Sequence, residues 1–187
     1  MKQELYIVGS GGLGREMLST FIANDFSLKY DEIYFIDNHL GHVNNIEIIG
    51  DNDYLKLLEH KVDVFIAISN CQIRAKIISE LRGFNHLNFI NFIHPKASLY
   101  TPDNIKIGVG CFIGEGCVLT TDIHIGDFCF LNVYVSLHHD TILEENCFLM
   151  PGVRITGGAV VGENSYIGNN FQLTDKINVP ANSKLIN

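Results

Sequence analysis

The second half of the chain carries an aliphatic residue at every sixth position. From Ile107 to Leu185, fourteen consecutive positions spaced by six residues hold only Ile, Leu or Val. With a background of about one in four for these residues, chance would give such a run on the order of once in 10⁸. Hexapeptide repeats form a parallel β-helix with three strands per coil, because each strand buries its apolar side only by stacking on its neighbours. The pattern predicts roughly 4.5 coils from 107 to 187.

A second, mostly small position follows each aliphatic residue by four, and it is predicted to face inward at the corner of a coil. Four of the five cysteines fall on this position, and Cys111, Cys129 and Cys147 are 18 residues apart. Residues spaced by one coil are expected to stack on one face about 4.8 Å apart. We interpret these cysteines as small buried thiols that fill the core. A metal or redox column is the alternative.

The first ninety residues alternate apolar strands with helical segments. The predicted elements are, in chain order, strand Glu4–Val8, helix Arg15–Ala23, strand Ile33–Ile36, helix Asp51–His60, strand Val62–Ile68 and helix Cys71–Leu81. This alternation predicts a parallel sheet with helices on both faces. A turn-rich stretch between Asn91 and Asp103 separates this region from the repeats. We therefore predict two domains, an α/β domain at residues 1–92 and a β-helix at residues 93–187.

A glycine-rich loop, Gly9–Gly14, joins the first strand to the first helix with the spacing Gly-x-Gly-x-x-Gly. Glycines at these places let backbone N–H groups approach a phosphate at the positive end of a helix. Asp37 follows the second strand, where a carboxylate commonly binds a ribose hydroxyl. The loop thus predicts nucleotide binding, with a merely tight turn as the alternative. Because the chain changes to a β-helix before completing a dinucleotide fold, a mononucleotide or a nucleotide-linked sugar fits better than NAD.

Composition narrows the classes of function. The 187 residues include 13 Lys and Arg against 21 Asp and Glu, a formal net charge of −8. This balance argues against a nucleic-acid partner, which needs a basic surface, and against docking on an anionic membrane. No apolar run approaches the ~18 residues of a membrane span, and no signal-peptide pattern begins the chain. Five cysteines without a Cys-x-x-Cys pair favour a reducing compartment, so a cytoplasmic location is expected.

Among eight histidines, the pair His138-His139 followed by Asp140 is the strongest candidate for chemistry. It follows the aliphatic Leu137 at outward positions of a coil, so its side chains are expected to leave the core. Histidine suits general-base catalysis near neutral pH, and an adjacent carboxylate orients it. A solvated polar turn is the alternative. A zinc site between subunits would need spaced histidines on neighbouring coils, which His124, His138 and His139 do not obviously supply.

In combination these motifs resemble the PglD/NeuD-type acetyltransferases of nucleotide-linked sugars and sialic acids, over nearly the whole chain. The segments that carry the resemblance are Tyr6–Glu16, Tyr34–Asn38, Phe65–Asn70 with Arg74, Ile93–Ala97 and His139-Asp140. The resemblance implies a Rossmann-like domain followed by a left-handed β-helix that forms homotrimers. It also implies transfer of an acetyl group from acetyl-CoA to a sugar amine or hydroxyl, commonly on a nucleotide-linked 4-amino-4,6-dideoxyhexose for surface glycans. No metal is expected.

The resemblance also implies roles for particular positions. It makes His139 the general base and Asp140 the acidic residue beside it. The positions that would contact the nucleotide sugar are Gly11, Gly12, Leu13, Asp37, Asn38 and Ser69. The positions near acetyl-CoA are Phe148, Gly157 and Asn169.

The chain departs from the family pattern at several of these positions. Leu13 stands where the family commonly has His, Asn38 where it has a second acidic residue, and Ser69 where it has Gly. Phe148 stands where some members have a second histidine that contacts the donor. Many members continue for a further coil, so the part of the site that holds the outer arm of CoA is expected to differ.

The expected activity is an acetyl-CoA-dependent N-acetylation. The phosphates of the nucleotide sugar would bind the Gly9–Gly14 loop, His139 would accept a proton from the sugar amine, and backbone N–H groups near Gly157 would stabilise the oxyanion. His138 is the fallback base. Three alternatives stay open: an O-acetyltransferase for a free sialic-acid-like sugar, a non-catalytic trimeric scaffold that binds nucleotide sugar, and a zinc hydratase.

Overall fold

The computed structural model describes residues 3–174 and 176–186. The chain divides into two compact units between Ile90 and Asn91. We call them the N-terminal unit and the C-terminal unit. The boundary predicted from sequence lies two residues further along the chain.

The N-terminal unit contains one six-stranded sheet. Its strands are β1 (Glu4–Val8), β2 (Glu32–Ile36), β3 (Gly41–Val43), β4 (Ile46–Gly50), β5 (Val62–Ile66) and β6 (Leu87–Phe89). Its helices are α1 (Gly12–Ala23), α2 (Asn52–Lys56) and α3 (Cys71–Leu81), with a 3₁₀ turn at Phe26–Lys29. The strand order is β3-β4-β2-β1-β5-β6. Neighbouring strands are parallel except β3 and β4, which are antiparallel.

Several predictions about this unit need correction. Helix α2 ends at Lys56, four residues before the predicted end at His60, and β5 ends at Ile66, two residues before the predicted end at Ile68. The sheet is not wholly parallel, because β3 and β4 form an antiparallel hairpin that was not predicted from the sequence. Its two loop residues, Asn44 and Asn45, both have positive φ (51° and 63°), as a tight type I′ turn requires. Helix α1 begins three residues before the predicted start, since the N–H of Arg15 already donates to the carbonyl of Gly11 at 3.1 Å.

The centre of the sheet is apolar on both faces. Residues Leu5 to Val8 of β1 are no more than 3% exposed, as expected for a strand buried on both sides. Phe21 of α1 packs edge-to-face on Phe65 of β5, with ring centroids 5.2 Å apart. Burying a side chain of this size contributes about 1.5–3 kcal/mol. This packing fixes the carboxyl ends of β1, β2 and β5 side by side.

The C-terminal unit is a parallel β-helix with three flat faces. Face 1 contains β7 (Phe92–Ile93), β10 (Phe112–Ile113), β13 (Phe130–Leu131), β16 (Phe148–Leu149), β19 (Tyr166–Ile167) and β22 (Lys184–Leu185). Face 2 contains β8 (Ser98–Leu99), β11 (Val118–Leu119), β14 (Ser136–Leu137), β17 (Arg154–Ile155) and β20 (Gln172–Leu173). Face 3 contains β9 (Ile105–Ile107), β12 (Ile123–Ile125), β15 (Ile142–Leu143), β18 (Val160–Val161) and β21 (Asn178–Val179).

The β-helix begins one coil before the run of hexapeptides that the sequence shows. Ile93 pairs in register with Ile113 and Leu99 with Leu119, a spacing of 20 residues instead of 18. The two extra residues are taken up in a 3₁₀ turn, Pro102–Asn104, between two faces. The six-residue spacing of aliphatic positions is therefore regular only after this insertion.

From residue 110 to residue 182, the corners of the β-helix turn through a residue with positive φ, which recurs every six residues. Ten of these thirteen residues are Gly, Asn or Asp, the types that adopt the left-handed region most readily. Two of the exceptions, Phe128 and Tyr134, stack over Gly110 and Gly116 of the preceding coil, where an added Cβ would meet ring carbons at 2.5 Å. A glycine on one coil therefore makes room for a ring on the next.

The cysteines of the repeats satisfy backbone carbonyls at the corners. Each of the four donates its S–H to a carbonyl oxygen 15 residues ahead; the pairs are Cys111–Gly126 (3.2 Å), Cys117–Asn132 (3.1 Å), Cys129–Glu144 (3.1 Å) and Cys147–Gly162 (3.4 Å). Burial raises the pKa of Cys117 to about 11, so this thiol keeps the proton it donates. These contacts support the interpretation of the cysteines as structural.

Outward side chains of face 1 form a continuous stack of aromatic rings. The stack consists of Phe92, Phe112, Phe130, Phe148 and Tyr166, with successive centroids 5.5, 4.4, 4.5 and 5.8 Å apart. The four phenylalanines are no more than 3% exposed. Aromatic pairs of this kind add about 0.5–1.5 kcal/mol each beyond their burial. The ring of Phe148 is thus part of the packing that holds neighbouring coils together.

Candidate active site

Strand β1 ends in the glycine loop, at the edge of the sheet where β2 and β5 also end. Gly9 has φ of +100°, and an added Cβ would come within 2.9 Å of the Ala67 carbonyl oxygen. An added Cβ on Gly14 would overlap the carbonyl of Gly9. These two glycines are required by the packing of the chain itself. Gly11 and Gly12 are different, because an added Cβ would meet nothing within 4 Å there, and the open space beside them is available to a ligand.

Helix α1 presents its N-terminus at this open space. Gly11 is the N-cap residue and provides no side-chain cap, and Leu13 lies half-buried in the first turn. The first N–H groups of a helix lack partners within the helix, and the helix dipole favours a negative charge there. The arrangement is that of a phosphate-binding loop.

Asp37, at the carboxyl end of β2, is held against the glycine loop. Its Oδ2 accepts hydrogen bonds from the backbone N–H and the hydroxyl of Ser10, at 2.8 and 2.6 Å, and its Oδ1 accepts from the N–H of Asn38 at 2.8 Å. Partial burial opposes ionisation, but the hydrogen bonds from Ser10 and Asn38 outweigh it and hold the pKa of Asp37 below its ordinary value. This contact of Ser10 was not predicted from the sequence.

A small depression lies beside Asp37. Its volume is about 250 Å³, and it is lined by Asp37, Asn38, His39, Leu40, Gly50 and Asp51. Pockets for whole small ligands measure about 300–1,000 Å³. This depression therefore has room for part of a nucleotide sugar.

The turn after β5, which carries Ser69, is ordered by two contacts. The guanidinium of Arg74, on α3, donates to the carbonyl of Ile68 at 3.2 Å, although the Arg74 side chain is almost fully buried. Asn70 caps α3 by accepting the N–H of Ile73 at 3.0 Å. Ser69 is exposed between them, so its position is fixed while its side chain is accessible.

In the C-terminal unit, His139 and Asp140 lie at the corner between β14 and β15. Nδ1 of His139 is 2.8 Å from Oδ2 of Asp140. Because a carboxylate only accepts, Nδ1 is the donor in this pair, and in the neutral imidazole Nε2 then keeps its lone pair. Both side chains are about two-thirds exposed, 66% and 68%. This pair can accept a proton through Nε2.

The imidazole of His139 lies over Gly157 of the next coil. An added Cβ on Gly157 would overlap Cε1 and Nε2 of the ring and would lie 2.8 Å from Nδ1. The two coils are paired at this point, since the N–H of Gly158 donates to the carbonyl of His139 at 2.9 Å. Glycine at position 157 is therefore what leaves space for the ring.

His138, the fallback base, lies at the same corner. Its backbone N–H donates to the carbonyl of Ile155 at 3.0 Å, and its side chain is exposed. Within the described residues, no carboxylate is paired with its imidazole. The geometry favours His139 over His138 as the base.

The residues expected near acetyl-CoA do not all lie together. Phe148 is buried in the ring stack of face 1, so its side chain is not accessible to a ligand. Asn169 is exposed at a corner between faces 1 and 2. His139 and Gly157 lie at corners between faces 2 and 3. Face 2, which lies between these two rows of corners, presents the exposed side chain of Arg154.

The described residues were also predicted not to form a metal site. Among residues 3–174 and 176–186, no group of three or more His, Cys, Asp and Glu side chains is placed to hold a metal ion. His124 is exposed on β12, beside Lys106 and Ile142 of the adjacent strands. In the part of the chain that the structure describes, no helix is long and apolar enough to span a membrane.

Comparison with known families identifies the class of protein. Residues 140–170, which include Asp140 and Gly157, match the bacterial transferase hexapeptide family. The C-terminal unit is a left-handed β-helix of the hexapeptide-repeat transferases. Residues 4–81 match the PglD N-terminal domain. Both matches agree with the resemblance to the PglD/NeuD-type sugar acetyltransferases that the sequence motifs indicate.

Individual relatives are similar over different lengths. GDP-perosamine N-acetyltransferase from Escherichia coli O157:H7 is 31% identical over 123 residues, 63% of this chain. The chain spans about half, 54%, of that curated relative. The acetyltransferase domain of PglB from Neisseria gonorrhoeae FA1090, in complex with acetyl coenzyme A, superposes with a TM-score of 0.85 at 25% identity, covering 98% of this chain and 88% of that chain. A variant of perosamine N-acetyltransferase from Caulobacter crescentus, in complex with CoA and GDP-perosamine, gives 0.75 at 23%, covering 98% and 88%, and shows the fold alone.

Proposed function

We propose that the protein is an acetyl-CoA-dependent N-acetyltransferase acting on a nucleotide-linked 4-amino-4,6-dideoxy sugar in surface glycan biosynthesis, with His139 as general base. The observation that carries the proposal is the His139–Asp140 pair, joined at 2.8 Å and exposed at a coil corner. The acceptor is suggested by relatives described as perosamine N-acetyltransferases, since perosamine is a sugar of this class.

The proposed reaction is attack of the sugar amine on the thioester carbonyl of acetyl-CoA. A C–N bond forms and the C–S bond breaks. Nε2 of His139 accepts the amine proton and returns it to the departing sulfur, so that CoA leaves as a thiol. Asp140 keeps the ring in the Nδ1–H form and stabilises the imidazolium. A positioned general base contributes about 10²–10⁴ in rate.

The oxyanion needs a donor close to the base. We assign this role to the backbone N–H of Gly157, because the imidazole of His139 lies directly over this residue. A donor fixed by β-helix pairing needs no reorganisation when the negative charge develops.

The N-terminal unit is proposed to bind the nucleotide sugar. The diphosphate would meet the N–H groups of Gly11, Gly12 and Leu13, where the space is open and the helix dipole is favourable. The depression at Asp37 and Asn38 would take part of the nucleoside. Ser69, exposed on its ordered turn, is proposed to contact the substrate.

Acetyl-CoA is proposed to lie along face 2 of the β-helix. Gly157 and Asn169 border this face from its two sides. Arg154, exposed between them, offers a guanidinium for the phosphates of the donor. The buried ring of Phe148 would act by supporting the coils and not by contact with the donor.

We further propose that the active form is a cytoplasmic homotrimer. In a single chain His139 and Asp140 are 66% and 68% exposed, whereas charge stabilisation in catalysis is strongest where water is excluded. Another copy covering this corner would exclude water. Light scattering after size exclusion should give three times the chain mass, and full activity in a monomer would contradict the proposal.

The proposal is tested by incubating the protein with acetyl-CoA and a panel of UDP-, dTDP- and GDP-linked 4-amino sugars, with free sialic acid included. Mass spectrometry detects the added acetyl group without interference from the five free cysteines. Acetylation of one nucleotide sugar, and its loss in His139→Ala, is the expected result. Acetylation of free sialic acid alone would favour the O-acetyltransferase. No product and no acetyl-CoA binding would favour the non-catalytic scaffold.

A further inference from the structure

Asp37 has little capacity left for a ligand. A carboxylate offers about four lone-pair sites in all. Ser10 takes both sites of Oδ2 through its N–H and hydroxyl, and the N–H of Asn38 takes one site of Oδ1. The ring of His39 stands 3.7 Å from the same Oδ1. One site at most remains, so Asp37 cannot accept hydrogen bonds from both hydroxyls of a ribose.

Ser10, the partner of Asp37, lies within the glycine loop, so its contacts determine the position of that loop. It is 6% exposed and immediately precedes Gly11, the N-cap of α1, which has no side-chain cap of its own. The loop is tied to β2 on one side, since the N–H of Gly9 donates to the carbonyl of Ile36 at 2.8 Å. Asp37 is tied on its other side, where its own N–H donates to the carbonyl of Gly50 at 2.8 Å.

We propose that Asp37 is a positioning residue that acts through Ser10. It holds the loop so that the N–H groups of Gly11, Gly12 and Leu13 face the diphosphate, and it does not itself bind the ribose. This inference rests on the proposed nucleotide-sugar site. It has a consequence for specificity: as far as Asp37 is concerned, ribonucleotides and 2′-deoxyribonucleotides bind equally well.

The ionisation of Asp37 is consistent with this role. Its pKa is lowered from 3.8 because the hydrogen bonds from Ser10 and Asn38, helped by His39, outweigh partial burial. A carboxylate with a lowered pKa contributes its full stabilisation above the ordinary value and loses it as the pH falls through the lowered one. The contact with Ser10 therefore persists at neutral pH, which lies well above the ordinary pKa of an aspartate.

The test compares Asp37→Asn, Ser10→Ala and the double variant in the full-length chain. The matched control is Asp63→Asn, a carboxylate that accepts from Tyr30 and Asn88 at the start of β5, away from the loop. Isothermal titration uses GDP, UDP and their 2′-deoxy counterparts as probes. Each single variant should bind all four about tenfold more weakly, the size expected for a hydrogen bond to a charged group. The double variant should lose no more than either single one, because the two residues act as one unit.

The ratio of ribose to deoxyribose affinity separates the two roles of Asp37. If Asp37 positions the loop, Asp37→Asn lowers both affinities by the same factor and leaves the ratio at its wild-type value. If Asp37 binds the ribose, Asp37→Asn abolishes a ribose preference that the wild type shows, and Ser10→Ala binds like the wild type. That second outcome would overturn the proposal.

Amide exchange provides a measurement that does not depend on nucleotide binding. Asp37→Asn should accelerate exchange of the Ser10 amide, which donates to Asp37, by at least tenfold, and Asp63→Asn should not. If the exchange rate of the Ser10 amide is unchanged in Asp37→Asn, the positioning role of Asp37 is wrong, even if nucleotides bind. If the wild type binds none of the four nucleotides while the exchange prediction holds, the proposed nucleotide site fails and the structural contact stands.

Discussion

Two corners of the β-helix, one coil apart, share a backbone and differ in chemistry. Thr121-Asp122 and His139-Asp140 both lie between faces 2 and 3, and the two aspartates have φ of 54° and 58°. In each pair the first side chain is hydrogen-bonded to Oδ2 of the second, at 2.9 Å for Thr121 Oγ1 and 2.8 Å for His139 Nδ1. The turn itself thus provides the carboxylate partner for whichever side chain precedes the aspartate.

What differs is the residue stacked on each pair. The residue one coil after Thr121 is His139, which has a large side chain. The residue one coil after His139 is Gly157, which has none. The missing Cβ at 157 leaves the space that the imidazole occupies. The repeat therefore provides the turn at both corners. The glycine at position 157 provides the space for the imidazole, and this makes the His139 corner a candidate catalytic one.

Removing the imidazole should have the largest effect. His139→Ala is expected to lower kcat by about 10²–10⁴, the usual contribution of a general base. Thr121→Ala, at the equivalent corner, should leave kcat unchanged. The measurement is acetyl transfer by mass spectrometry, with circular dichroism to confirm that both variants fold. Near-wild-type turnover in His139→Ala would rule out its role as base, and His138→Ala would then be the next variant to measure.

Filling the space under the ring should have the next largest effect. The added methyl of Gly157→Ala would displace the His139 ring, and a misplacement of about 1 Å can cost roughly 10²-fold in rate. Gly83→Ala is a suitable control, since an added Cβ there meets nothing within 4 Å.

The two sites should also be non-additive. In a His139→Ala background the space is empty, so Gly157→Ala should cause little further loss through the ring. A full additional loss of about 10²-fold would mean that the added methyl acts independently of the imidazole, for example by displacing the backbone N–H of residue 157.

Neutralising the carboxylate should have a moderate effect. An exposed ion pair contributes about 0.2–1 kcal/mol, so Asp140→Asn is expected to reduce kcat by roughly fivefold or less if the corner stays in water. A loss above about 10³ would mean that Asp140 fixes the tautomer of the imidazole and contributes more than an exposed ion pair does. No loss at all would mean that Asp140 is only a turn residue.

Asp140→Ala separates the turn from the charge. Asn tolerates the left-handed region well and Ala does not, at about 1–2 kcal/mol. Thermal unfolding should therefore show a lower Tm for Asp140→Ala than for Asp140→Asn.

The smallest effect is expected at the structural corner. Asp122→Asn keeps a residue that tolerates positive φ, and its stability change should stay within about 0.5 kcal/mol, as at most surface sites. Its kcat should equal that of the wild type. A loss of activity in Asp122→Asn would indicate that the site extends over both corners and would weaken the contrast between them.

The repeats were predictable because their signal is local and periodic. Inward aliphatics such as Ile113 and Leu137 are fully buried, as the six-residue spacing requires. The coil before Ile107 was not predicted, because a two-residue insertion interrupts the six-residue spacing there. The β3–β4 hairpin was not predicted, because its strands are short and its loop is Asn-Asn, which indicates a hairpin less strongly than Asn-Gly does.

The candidate site was only partly predictable, for a physical reason. His139 and Asp140 are adjacent in sequence, so their pairing follows from the turn alone. Ser10 and Asp37 lie 27 residues apart, and only the parallel pairing of β1 with β2 brings them together. The space under His139 depends on stacking between coils. Resemblance to a family placed Phe148 near the donor, but the structure buries its ring, because the aromatic stack of face 1 is formed by strands 18 residues apart.

The short turn Pro102–Asn104 shows where this architecture tolerates a change of length. Two residues are inserted there, yet the strands on either side pair in register, Leu99 with Leu119 and Ile105 with Ile123. A corner can therefore be lengthened without moving any inward side chain, whereas a one-residue insertion within a strand would turn its apolar residues outward. New specificity loops could be grafted at such corners, beside His139, while the scaffold that holds the imidazole stays untouched.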